Sequence, residues 1–313
     1  MASVLPTPVK TWTLVKNQSM ASSGVLATDT NVLMLALINQ LITWGWTISG
    51  SGSTAYGGGA NDSTNRIAST ANMSVGCWIT LYNSAMGLYL QIQQHSATSG
   101  QWIFRGSYAG FSGGSPSATV AGTAADSFNA NIQNGFNTPF CNIAFGSTCK
   151  WHGWKSSDNY VHRIVVYVSS VPTFFLHLEK AVNAPAGFPA AVAAVLDQGA
   201  SSTTNKILLA GLHWYSYYAA ARADLGVMQV TVAGTTGPAL ANPGVFDSNW
   251  AILPLGCGSV TAAIYGPAFW FADLWLVATS LQEAATFPAS GARQFVVCGD
   301  LVLPWDDTAM QVT

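Results

Sequence analysis

Leu88-Tyr89-Leu90-Gln91-Ile92-Gln93 decides the fold. Successive side chains of a β-strand point to opposite faces, so a period of two sends Leu88, Leu90 and Ile92 one way and Tyr89, Gln91 and Gln93 the other. That is the pattern of a half-buried strand. The same rhythm continues on both sides. Val75 to Tyr82 precedes it and Gln101 to Arg105 follows it, with turn residues between. Arg163 to Val168 and Thr173 to Leu178 read as adjacent strands joined by a turn at Ser169-Ser170-Val171-Pro172. Thr11 to Val15, Gly226 to Val232, Ser259 to Ile264, Phe269 to Ala278 and Arg293 to Val302 add further short runs. Pro189 to Leu196 and Lys206 to Tyr218 are apolar without a deciding period, and stay open between helix and strand. Short strands at intervals of about 8 to 12 residues, with Gly and Pro between them, predict a mainly-β chain with a β-sandwich or jelly-roll-like core.

One segment breaks the rhythm. Residues 30–43 read as the single N-terminal helix, carried by Asn31 to Ile42, capped by Asp29 or Thr30 and closed by Gly45. Val32, Leu33, Leu35, Leu37, Ile38, Leu41 and Ile42 nearly circle its axis, so a buried or covered helix is expected. Gly50 to Gly59 reads as a flexible surface loop. Its Gly50-Ser51-Gly52 lacks the lysine and the strand–helix frame of a phosphate cradle. Residues 1–12 read as an extended arm, because Pro6 and Pro8 disfavour helix. Residues 13–313 read as a single mainly-β domain, with no repeat or composition break to divide them.

Charge is the compositional anomaly. Only 8% of the 313 residues are charged, against about 25% in an ordinary soluble domain. Half are hydrophobic, including 12 Trp, 14 Phe and 10 Tyr. Such a chain covers itself with neutral polar groups or hides its surface against companions. A net charge of −2 with no basic cluster argues against a nucleic-acid partner. The longest apolar runs fall well short of the roughly 20 residues of a membrane span. The N-terminus has neither the basic nor the apolar region of a secretory signal.

Groups able to do chemistry are few. Cys141, Cys149, His152 and His162 lie close in sequence, but their spacing fits no usual zinc pattern. Cys141 and Cys149 flank a short polar loop and form the candidate disulfide, should the chain meet an oxidising exterior; in a reducing cytosol they are thiols. His177 stands beside Glu179 in a strand-like run and reads as a satisfied structural histidine. Glu179 and Glu283 are the only glutamates, and nothing marks either as half of a glycosidase pair. Asp300, Asp306 and Asp307 lack a calcium-loop pattern. No G-x-S-x-G elbow is present. No catalytic residue, cofactor or metal is expected. The contact candidates are aromatic or lie in the arm: Pro6, Pro8 and Trp12; Trp214, Tyr215, Tyr217 and Tyr218; and the closing Trp305.

Several stretches resemble virion structural proteins of tailed bacteriophages. They are the Leu-rich helix running into Trp44-Gly45-Trp46-Thr47-Ile48-Ser49-Gly50-Ser51, then Gly76-Cys77-Trp78-Ile79-Thr80-Leu81, then Phe174-Phe175-Leu176-His177-Leu178-Glu179-Lys180. The clearest is the end, from Phe287-Pro288 through Gly291-Ala292-Arg293-Gln294-Phe295-Val296 to Leu303-Pro304-Trp305. It is similar to a recurring closing segment, P-x-x-G-x-R-x-F-V-x-x-G-x-L-x-x-P-W. The resemblance implies a non-enzymatic, oligomeric component of the head, collar or tail, assembled in the host cytoplasm and carried in the virion. Its expected partners are copies of itself and other virion proteins. A module attaching to host-surface glycan is the alternative, on the Trp and Tyr content. A virion-borne cell-wall hydrolase stands third.

Overall fold

The computed structural model of the chain describes residues 9–24, 26–53, 77–96, 101–107, 127–129, 148–168, 171–180, 182, 191–197, 206–208, 214–216, 252–257, 269–277, 286–287, 294–298 and 301–305. The chain is mainly β, and among the described residues there is one helix and every strand pairing is antiparallel. A central sheet runs β1 (Trp12–Met20), β7 (Cys149–Ser156), β8 (Val161–Val168), β9 (Val171–Lys180) and β10 (Ala191–Asp197). A meander sheet follows chain order through β2 (Thr47–Ser53), β3 (Cys77–Asn83), β4 (Leu88–Ser96), β5 (Gln101–Ser107) and β6 (Ser127–Asn129). A C-terminal sheet is ordered β13 (Ile252–Cys257), β14 (Phe269–Val277), β17 (Leu301–Pro304), β16 (Phe295–Cys298) and β15 (Thr286–Phe287). β11 (Lys206–Leu208) and β12 (Trp214–Ser216) pair with each other.

All eight residues of β8 are buried, because both faces of the central sheet are covered. Ile164, Val166 and Val168 join Trp151 of β7 and Phe174, Leu176 and Leu178 of β9 in one core. Leu33, Met34, Leu37, Ile38 and Leu41 of helix α1 (Leu26–Thr43) enter the same core, as do Ile79, Leu81, Leu90 and Ile92 of the meander sheet. The alternation read in Leu88 to Gln93 is thus met by burial of Leu88, Leu90 and Ile92 in that core. The other face of β8 carries Arg163, Val165 and Tyr167 and meets the C-terminal sheet.

The helix begins at Leu26, so Asp29 sits in its first turn rather than capping it. There its carboxylate accepts hydrogen bonds from Ser22 Oγ at 2.6 Å and Ser23 N at 2.8 Å, a position the helix dipole favours for an anion. Its apolar residues are not buried all round the axis. Val32 is 37% exposed, while Leu33, Met34, Leu37, Ile38 and Leu41 form the buried stripe. The end was legible. Gly45 takes φ +94°, with Trp46 N donating to Leu41 O and Gly45 N to Ile42 O, a Schellman closure.

Three readings shift. Gly50 to Ser53 belong to strand β2, not to a loop, and pair with β3; the Trp78 ring lies against Gly50, at a distance where an added Cβ would make ordinary contact. Val171 and Pro172 belong to strand β9 and not to a turn, since Val168 already faces Val171. Pro172 lies within β9 where the register shifts, a place that tolerates its missing N–H. Trp12 is not the end of an arm: it opens β1, pairs with Ser156 and is 4% exposed. The open segments at 189–196 and 206–218 contain strands β10, β11 and β12. Gly226 to Val232 and Ser259 to Ile264 lie outside the described residues.

Candidate functional site

The densest chemistry lies between the central and C-terminal sheets. Alternation along β8 and β9 puts Arg163, His177 and Glu179 on one face, with Arg163 directly opposite His177. Arg163 Nε donates to His177 Nδ1 at 2.8 Å. Nδ1 is therefore the acceptor, the ring proton sits on Nε2, and Nε2 donates to Glu179 Oε2 at 2.8 Å. Glu179 also accepts the Ala272 N–H at 3.1 Å. The guanidinium donates further to the carbonyls of Asp273, at 2.8 Å, and Ala272. Its carbon lies 4.6 Å from the centre of the Trp12 ring, a cation–π contact.

Asp273 completes the group from the facing sheet. The register of β13 against β14 shifts between Pro254 and Gly256, and Asp273 takes φ +50° there. A bulge of this kind re-aims a side chain, and Asp tolerates the left-handed conformation. Its carboxylate accepts from Val9 N at 2.6 Å, Lys10 N at 2.8 Å and Trp12 Nε1 at 2.8 Å. Lys10 also pairs with Asp158. One aspartate thereby fastens the first described residues to the C-terminal sheet.

Burial governs the protonation of the group. It pushes Glu179 up to about 8, against the opposing pull of Arg163 and the Ala272 N–H. It holds His177 well below its ordinary value, with Arg163 adding to the effect. It lowers Arg163 to about 10, which leaves the guanidinium charged at neutral pH. Burial also raises Asp273, opposed by its N–H donors and Arg163. Arg163 and His177 are 0% exposed, so no solute touches them. The arrangement joins two sheets and anchors a strand.

A second polar–aromatic group lies further along this interface. Asn17, at φ +55° in a bulge of β1, donates its N–H to His152 Nδ1 at 2.9 Å. The His152 ring meets Trp305 edge-on at 4.8 Å and Tyr167 at 5.4 Å. Trp154 Nε1 donates to Pro304 O at 2.6 Å. Trp305, a contact candidate, is half-buried here, with Lys16 Nζ 4.9 Å from its ring centre.

His152 and His162 sit on opposite faces of the central sheet, so they share no metal. His162 Nδ1 instead accepts Trp46 Nε1 at 2.7 Å on the helix side. Burial lowers His152 to about 4 and His162 to about 3. Cys149 is a buried free thiol, pushed up to about 12 by its burial. Cys141 lies outside the described residues, as do Pro6, Pro8, Tyr217 and Tyr218. Trp214 and Tyr215 fall in strand β12. Among the described residues no group of three or more His, Cys, Asp or Glu is placed to hold a metal, and no helix is long and apolar enough to cross a membrane.

No protein-family model, curated protein or solved structure matches this chain. The sequence had singled out His177 and Glu179, whose spacing puts both on one face of a strand. Arg163 and Asp273 went unremarked. Their one signal was the rarity of any charge within strongly apolar runs.

Proposed function

We propose that this chain is a non-enzymatic structural component of a tailed-phage virion, oligomeric, decorating or joining head, collar or tail. The observation that carries the reading is where the scarce charges go. The chain has eleven Lys and Arg and thirteen Asp and Glu. Four of these 24, Asp29, Arg163, Glu179 and Asp273, are buried and engaged within the fold, which leaves at most twenty for the outside of a 313-residue chain. A surface this poor in charge suits permanent contacts, which are large and more apolar than free surface. Leaving charges out of such contacts avoids a desolvation cost of several kcal/mol per ion. Closed symmetric assembly hides the same patch on every copy.

The buried polar group supports the same reading. It anchors Val9, Lys10 and Trp12 at a fixed point. The closing segment with Pro304 and Trp305, which carries the likeness to phage virion proteins, packs on the central sheet. The test is the solution mass of the purified full chain by light scattering. A multiple of the chain mass is the expected result. A soluble monomer at every accessible concentration overturns the proposal.

A further inference from the structure

Charge is scarce in this chain, and it is unevenly spread. Residues 9–20 and 149–197 hold the central sheet and the lead-in to β1. They carry six of the eleven basic residues and three of the thirteen acidic ones, a net of +3. The rest of the chain carries five and ten, a net of −5. Arg163 and Glu179 are buried, which leaves five lysines on the central sheet and its lead-in against Asp158 and Asp197.

Two of those lysines meet at one tyrosine. Lys180 Nζ lies 4.5 Å and Lys10 Nζ 5.7 Å from the centre of the half-buried Tyr160 ring, both cation–π contacts. The backbone holds the three in place: Lys180 N donates to Tyr160 O at 2.8 Å, and Asp273 fixes the amides of Val9 and Lys10. Asp158 takes the Lys10 ammonium. No carboxylate of the described residues pairs with Lys180. Val9 precedes Lys10 and is 69% exposed; Val182, two residues beyond Lys180, is 45% exposed. A lone exposed valine is ordinary. Here two of the four exposed large apolar side chains among the described residues adjoin lysines on the same ring.

We propose that Val9, Lys10, Tyr160, Lys180 and Val182 form one half of a head-to-tail contact between copies of the chain, and that the other half is an acidic surface of the neighbouring copy. The remainder of the chain holds the opposite charge in excess. A two-fold contact of the patch with its own image would set lysine against lysine, which is repulsive. A heterologous contact avoids this, and closes into a ring or continues as a stack. The ammonium groups orient the approach, while the valines supply apolar area. The inference rests on the assembly reading and adds where one contact lies and which symmetry it has.

The test is sedimentation velocity on the full chain at about 50 and about 500 mM NaCl. The parent should assemble, and more weakly at the higher salt. Lys180→Glu should raise the dissociation constant about tenfold or more, and Val182→Ser several-fold. Lys180→Arg, which keeps the charge, should stay near the parent. Melting temperatures should not change, because these side chains are exposed or half-buried. Should Lys180→Glu lower the melting temperature, Lys180→Gln and Val182→Ser read the contact in its place. Assembly by the variants equal to that of the parent overturns the patch and leaves the assembly reading standing. A parent that stays monomeric overturns both. A mixture of parent and Lys180→Glu that associates more tightly than either alone also overturns the proposal, since only a two-fold contact of the patch with itself sets Glu against Lys.

Discussion

Arg163 is a cation with no water around it, and its neighbours explain how it is tolerated. Two backbone carbonyls, a histidine nitrogen and an indole face replace its hydration. Removing one member of such a group strands the others. Arg163→Met should therefore cost about 3–5 kcal/mol in urea unfolding, and Arg163→Lys should recover little, because an ammonium cannot make the same forked contacts. Gly153 is a different kind of dependence. A Cβ there would sit 2.6 Å from Cη2 of Trp44. Gly153→Ala should destabilise by about 1–3 kcal/mol, and an unchanged denaturation midpoint would mean that the ring moves freely. Glycine's role here is close approach, not an unusual backbone angle.

At the scale of elements, strand β1 is held at its start by Asp273 and along its length by β7. Most of its side chains are exposed or half-buried. Asp273→Asn keeps the shape and removes the charge that takes three N–H donors. The expected outcome is faster tryptic cleavage at Lys10 and Lys16 with the strand signal of circular dichroism retained. Cleavage at the parent rate would show that the pairing with β7 suffices. Legibility at this scale was uneven, for physical reasons. Strands whose aliphatic residues all lie on one face, such as β4, announce themselves by alternation. β8 is covered on both sides and reads as a continuous apolar run, so only the structure reveals that Arg163 and Ile164 face different layers. Gly50 to Ser53 looked like a loop because β-propensity is weak in Gly and Ser; pairing with β3 and the Trp78 ring make it a strand.

For the whole molecule, the buried titratable groups set a stability profile. His152 and His162 titrate near 4 and 3 when folded, against about 6.5 when unfolded. His177 is lowered as well. Between those limits the unfolded chain binds protons that the native chain refuses, so stability falls as pH drops below about 6.5. Glu179 works in the other sense. Its folded value is raised to about 8, so its contribution is complete below the unfolded value and is lost as pH rises through 8. Melting temperature should peak at about pH 6 to 7 and fall on both sides. Glu179→Gln should flatten the alkaline limb and steepen the acid limb above the unfolded Glu value of about 4.3; an alkaline limb unchanged in that variant would place its origin elsewhere. Deleting residues 1–8, which spares the Asp273 anchor, should preserve the melting temperature and reduce incorporation into particles. Equal incorporation would remove the arm from the assembly proposal.

The sequence by itself determined the class of the molecule: period-two patterning in Leu88 to Gln93, one 3.6-period segment ending at Gly45, and a charge content too low for an ordinary free surface. These are local or summed properties, and a chain carries them before it folds. Only the tertiary structure decided which charges are hidden and what they hold. Arg163 and Asp273 stand 110 positions apart, and Val9 meets Asp273 across 264. No periodicity spans such distances. Contacts between sheets arise from how layers stack, and that stacking also turned Trp12 from the tip of an arm into a buried ring beneath a guanidinium.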